Sequence, residues 1–343
     1  MRDVIEFPSP ADQWAAIEFE SEGWKKNRLD EVLELAGRVG TSALLILHRG
    51  RIAAEGYWND VAAGLDTEGR ERFARFNLAP DRSGRPVEDV GAVQNCMTAT
   101  LLAIARDRGI IDFNHPVQEH LGPGWSSASL DQEREIAIWH LMSMTSGLDD
   151  QLRFVAPAGV EWLYNPSAYQ QLIRVLTRSS GLDPDAMLRD WLGDRIGMAS
   201  TRWVARDWSG SGTFIGLAST ARDLGRFALL IQNRGRWENE VVVSADALDE
   251  LLNPSQTMNP AYGLLWWLNG REAFVMPASQ ARVTGPLLPA APQDAVLGFD
   301  TLNRQLAISW EQELSLVRLG AGIAEPAEAF DTIWTHLLAA LPD

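Results

Sequence analysis

One cysteine, Cys96, is all that the 343 residues carry. That excludes an internal disulfide framework and any cysteine-rich metal cluster. Basic residues are also short, with 30 Lys and Arg against 46 Asp and Glu and a net charge of −16 at pH 7. Nucleic acid and anionic membrane both demand basic patches, so neither is expected as a partner. No apolar run approaches the roughly 18 residues that span a bilayer. The start, MRDVIEFPSPADQWAAIEFE, has no basic segment leading into an apolar one, so no secretory signal is read and the chain is expected to be cytoplasmic. There is no GxGxxG fingerprint, no phosphate loop and no GxSxG elbow. The five histidines show no paired spacing on one helix, and His115 and His120 flank the helix-breaking Pro116. Neither a metal nor a cofactor is expected.

What is present suits a globular protein with ample core: 46% hydrophobic and 22% charged residues, enough for one large domain or two joined ones. The 14 tryptophans read as core and interface filler. Apolar spacing predicts a helix over 27–38, capped by the Gly of NRLDEVLELAG. TSALLILHRGRIAAEGYW then reads as a β-hairpin around the HRGR turn. Residues 59–90 are polar and suit a long surface loop. The most apolar helix is predicted over 93–108, closed by Gly109.

Helical patterns dominate from about 112 to 204, and two more helices follow over 221–235 and 244–253. Strands return at YGLLWWLN (262–269), DAVLGFD (294–300), RQLAISW (304–310) and LSLVRLG (314–320), before a final amphipathic helix. This order predicts an α/β (α+β) fold, with a mainly antiparallel sheet built from both termini and covered by helices. The sheet domain is expected to comprise 1–111 and 205–343, with a helical region over 112–204 and a groove between them.

Four segments, in order, carry a resemblance: ARDRGIIDFNHPVQEHLG, IWHLMSMTSGLDD, EWLYNPSAYQQLIRVL and GLASTARDLGRFALLI. Together they resemble the β-lactamase-related serine hydrolases, which include class C β-lactamases, D-alanyl-D-alanine peptidases, family-VIII esterases and 6-aminohexanoate-dimer hydrolases. The resemblance runs from about residue 20 to the end. It implies a β-lactamase/transpeptidase-like fold with a Ser-x-x-Lys motif opening the buried helix. There the lysine, one helical turn from the serine, takes its proton. A tyrosine of the helical region then serves the leaving group, and backbone N–H groups stabilise the oxyanion.

Where family members commonly read SVQKS, this chain reads AVQNC. The correspondence puts Ala92 at the nucleophile position and Asn95 at the lysine position. Alanine has no attacking atom, and a carboxamide has no useful basicity. Losing one member of such a unit costs about a millionfold, and losing a second adds little.

The resemblance makes Tyr164 the tyrosine of the pocket. Asn165 and Cys96 are candidate lining residues, as are Gly298, Phe299 and Asp300, which stand near the expected Lys-Thr-Gly position. RVTG (282–285) reads as a loop turn instead. Cys96, Ser143, Ser146, Ser209 and Ser211 are the alternative nucleophiles, none with an evident base beside it. His140 is expected to anchor helix packing. The leading expectation is a silent member of the fold that binds a small molecule or a protein partner. A hydrolase or transferase with a relocated nucleophile or non-covalent chemistry is the rival, and a designed double substitution the third possibility.

Overall fold

The structure is a computed structural model that describes residues 5–9, 13–207, 214–322 and 326–342. The chain folds as two compact units. One takes Met1–Gln94, Gly193–Glu240 and Leu288–Asp343, the other Asn95–Leu192 and Val241–Leu287. Among the described residues no helix is long and apolar enough to cross a membrane.

The strands that shape the first unit are β1 (Thr41–His48), β2 (Arg51–Tyr57), β3 (Asn77–Leu78), β4 (Val87–Asp89), β5 (Arg202–Ala205), β6 (Ile215–Ser219), β7 (Val296–Phe299), β8 (Gln305–Ser309) and β9 (Leu314–Gly320). Within it β2-β1-β9-β8-β7 lie side by side, each pair antiparallel. Both chain ends therefore supply the sheet, as the sequence predicts.

All eight residues of β1 are buried, which requires cover on both faces. A Cβ on Gly225 of the helix Ala221–Gln232 would meet Leu45 and Leu47. On the opposite face, Gly56 lies against Leu33 of the helix Lys26–Arg38. The hairpin turn uses Arg49 (φ 53°) and Gly50 (φ 86°), two left-handed residues in succession, as a tight right-twisted hairpin demands. A second sheet runs β3-β4-β6-β5, also antiparallel.

The second unit is built around the helix Gln94–Asp107, whose residues Cys96 to Ala105 are all buried. It is locked to the helix Pro166–Ser180 by a 2.6 Å hydrogen bond between Thr98 and Tyr169. The short helices Val117–Leu121 and Ile138–Met142 also pack on Pro166–Ser180.

Four expectations change. Gly37 lies inside its helix, and its missing Cβ makes room for Trp58; the stop comes at Gly40, φ 70°. Residues 59–90 hold a helix, Thr67–Phe76, N-capped by Asp66, whose carboxylate accepts from Gly69 N at 2.7 Å. The run 262–269 forms only the short strand Trp267–Leu268, because the chain bends back at Leu265 (φ 65°) and Leu268 N donates to Ala261 O. Arg282–Thr284 is not a turn but an exposed strand, paired with Ala273–Val275.

Candidate functional site

A 3₁₀ turn, Gly91–Val93, runs directly into the helix Gln94–Asp107 and carries Ala92, which is half-buried. Buried carboxylates fix this turn. Asp89 Oδ1 accepts from Gly91 N at 3.0 Å, and the same carboxylate is forked by the Arg206 guanidinium at 2.7 Å twice. Arg206 also donates to Gln94 Oε1 at 3.2 Å. Asp300 lies against Gly91, which has φ 58°, and there is no room for a Cβ between them.

Asp300 is itself held by Leu302 N (3.1 Å), Arg304 N (2.8 Å) and the Arg304 guanidinium (3.1 Å). Burial pushes its carboxyl above the usual range, with the Arg304 charge opposing. Arg304 in turn pairs with fully buried Glu88 at 2.6 Å. Asp300 is thus a scaffold residue of the turn. Its neighbour Phe299 packs edge-on against Phe330, and Gly298 pairs with Leu306 across the sheet.

Asn95, one helical turn after Ala92, is only 6% exposed. Its amide nitrogen donates to the Tyr164 hydroxyl oxygen at 3.0 Å. The two residues that the sequence sets at the lysine and tyrosine positions therefore touch.

Tyr164 is positioned by the MSMTSG segment, which grips the 154–165 loop by its backbone. Leu163 N donates to Met144 O, Gly159 N to Thr145 O, and Val155 N to Gly147 O, all within 2.8–2.9 Å. Gly147 (φ 69°) must be glycine, since a Cβ would fall 1.9 Å from Ala156 O. Asn165 completes the grip. Its side-chain oxygen caps the helix through Ala168 N at 3.0 Å, and its amide donates to Leu148 O and Asp149 O at 2.7 and 2.8 Å. Those bonds leave Asn165 a structural task rather than a ligand-facing one.

The alternative nucleophiles fare as follows. Cys96 is fully buried, its Sγ 3.9 Å from Leu265 O, and burial pushes the thiol well above its ordinary range. Ser143 Oγ bonds Thr145 Oγ1 at 2.7 Å, and Ser146 Oγ accepts from Leu148 N at 3.3 Å. Ser209 and Ser211 lie outside the described residues. His140 Nδ1 accepts from Ala137 N at 3.0 Å, closing the first turn of Ile138–Met142, and burial lowers its pKa. That makes it a helix anchor.

Three further residues adjoin the Asn95–Tyr164 pair. Trp162 lies 6.4 Å from the Tyr164 ring, 5.5 Å from Tyr262 and 6.0 Å from Trp267, while Tyr262 and Trp267 meet edge-on at 4.9 Å. The Tyr262 hydroxyl is pushed well above the ordinary phenol range by burial first, with Tyr164 and Cys96 adding to this and the Asn95 carboxamide opposing it. Sequence reading passed over them, having taken 262–269 for a strand and tryptophan for filler. The clue lay in four aromatic residues within WLY and YGLLWW, among only 4 tyrosines in the chain.

Among the described residues, no group of His, Cys, Asp and Glu is arranged to hold a metal ion. Residues 26–276 match the model of the family described as Beta-lactamase. Among solved structures, a beta-lactamase of Mycobacterium bovis is 18% identical, covers 90% of this chain and 98% of its own, and has a TM-score of 0.62. A beta-lactamase of Sulfitobacter sp. EE-36 is 17% identical over 91% and 97%, with a TM-score of 0.61. EstCE1, a hydrolase with promiscuous acyltransferase activity, is 14% identical over 91% and 98%, with a TM-score of 0.65. At such identities the likeness is one of fold. No curated protein sequence matches the chain.

Proposed function

The chain belongs to the beta-lactamase family of serine hydrolases, and from that premise we propose that it is a silent member, a binding protein that has given up acyl-enzyme chemistry. The observation that carries this reading is the 3.0 Å bond from the Asn95 amide to Tyr164. Where the resemblance puts a proton-accepting lysine, a neutral donor already engages the tyrosine oxygen. Ala92, one turn earlier, offers no atom to attack a carbonyl. A carboxamide cannot take a proton near pH 7, so neither half of the Ser-x-x-Lys unit remains.

The rival reading, a relocated nucleophile, finds little support nearby. The Cys96 thiol is desolvated against ionisation, and a thiolate is the reactive form. Ser143 and Ser146 are spent on local turns. The occupant of the site is a small molecule or a segment of a partner protein.

The test is direct. Incubate the protein with p-nitrophenyl esters, nitrocefin and a fluorophosphonate probe, then measure intact mass. Neither turnover nor adduct is expected; a stoichiometric adduct sinks the silent reading. The companion is the double substitution Ala92→Ser with Asn95→Lys. It is expected to gain weak esterase activity, because the turn and the tyrosine loop are held by residues outside the motif.

A further inference from the structure

The Asn95–Tyr164 site has a wall of Trp162, Tyr262 and Trp267, and that wall carries two buried polar atoms. The Tyr262 hydroxyl belongs to a residue with 0% exposure, and Trp162 Nε1 to one with 6%. Among the described residues neither has a hydrogen-bond partner. The Asn95 carboxamide faces Tyr262 closely enough to influence its ionisation, yet short of hydrogen-bond geometry. A buried hydroxyl or indole N–H left unpaired costs stability, and native proteins keep such groups where they meet a ligand.

The chemistry of this wall is one-sided. Trp162 offers only a donor, and Tyr262 a donor that can also accept. The groups that act most on Tyr262 are Tyr164, Cys96, Asn95 and Tyr169, with no Lys, Arg, Asp or Glu among them. A carboxylate would be stripped of water here with no cation to meet it. A cation fares no better, because the aromatic rings spend their faces and edges on one another at 4.9–6.0 Å. What fits is an acceptor oxygen on an uncharged, flat body.

We propose that Tyr262 and Trp162 are the residues that recognise the occupant of this site, and that the occupant is a neutral molecule presenting a carbonyl-type acceptor on a planar apolar frame. This rests on the binding-protein reading above and names the chemistry of its ligand. Tyr262 acts by donating its hydroxyl proton to that acceptor, with Trp162 N–H as the second donor.

Three isosteric probes test it: benzamide, benzoate and benzylammonium, titrated against the full chain by ligand-observed NMR. Benzamide is expected to bind at least about tenfold more tightly than either ion. Tyr262→Phe is expected to lower benzamide affinity about tenfold while raising the melting temperature by about 1–2 °C, since it deletes an unpaired buried hydroxyl. A purely structural tyrosine does the reverse on stability. Trp162→Phe, which keeps a ring and loses the N–H, is expected to weaken benzamide in the same sense. Equal binding of benzoate, no saturable benzamide binding, or unchanged affinity in Tyr262→Phe overturns the proposal. So does a fall in melting temperature on that substitution. An adduct in the fluorophosphonate assay would overturn the silent reading yet leave the benzamide discrimination standing, so the two failures are distinguishable.

Discussion

Gly91 and Asp300 are in such close apposition that a Cβ added at residue 91 would sit 2.2 Å from Asp300 Oδ2. The turn that presents Ala92 therefore depends on a glycine at φ 58° and on a carboxylate folded tightly beneath it. Gly91→Ala combines left-handed strain with a collision against a buried charged group. It is expected to cost about 2–4 kcal/mol, read from the shift of the urea unfolding midpoint. An unchanged midpoint would mean that the turn relaxes freely.

Under that turn, Glu88 and Arg304 form a pair with no exposed side-chain surface. Removing one partner leaves the other charge buried alone. Glu88→Gln or Arg304→Met is expected to destabilise by about 3–5 kcal/mol, measured by chemical denaturation. Removing both at once is expected to cost less than the two single losses added together.

Asn165 joins the start of the helix Pro166–Ser180 to the carbonyls of Leu148 and Asp149. Asn165→Ala loses a cap and strands two carbonyls, for about 2–3 kcal/mol in total. Asn165→Asp keeps the cap but sets a carboxylate against those same carbonyls, so it is expected to rescue little. Thermal and urea unfolding of the two variants decide this.

The Cys96 thiol is expected to react with a maleimide or an aromatic disulfide only as the protein opens. Labelling at pH 8 should be far slower than in denaturant, and it should accelerate with sub-denaturing urea rather than following thiol ionisation. Prompt stoichiometric labelling of the native protein would reopen Cys96 as a relocated nucleophile.

Acid sensitivity should trace in part to His48. Burial, aided by Arg49, lowers its pKa from 6.5 to about 4. The unfolded chain takes up a proton there before the folded one does. The contribution of His48 is therefore full above pH 6.5 and is lost as pH falls toward 4. His48→Gln should flatten the loss of stability between those pH values. His120 and His140 shift the same way and will leave some slope.

Much of the frame was legible because its signals are local. β9 lies at 314–320 as read, and the final helix follows from its amphipathic spacing. The contact between Asn95 and Tyr164 was foreseen only as far as motif likeness set both residues at one site. Its geometry needed the backbone grip of Met144 and Thr145, which no side-chain pattern announces. The aromatic wall was missed because a run such as YGLLWW scores as a buried strand whether or not it extends. The bend at Leu265 is fixed by a bond from its N–H to Met142 O, more than a hundred residues earlier. Likewise, the helix Thr67–Phe76 hid behind polar composition, although Asp66 and the Phe73/Phe76 spacing marked it.

The grip on the 154–165 loop is made almost wholly by peptide groups: Met144, Thr145 and Gly147 carbonyls receiving Leu163, Gly159 and Val155 amides. Such a clasp is indifferent to the side chains it holds. Val155 and Val160 point out to solvent, more than half exposed. The loop can accordingly be recoded residue by residue while Tyr164 keeps its place, so the protein can vary what approaches the site without moving the site itself.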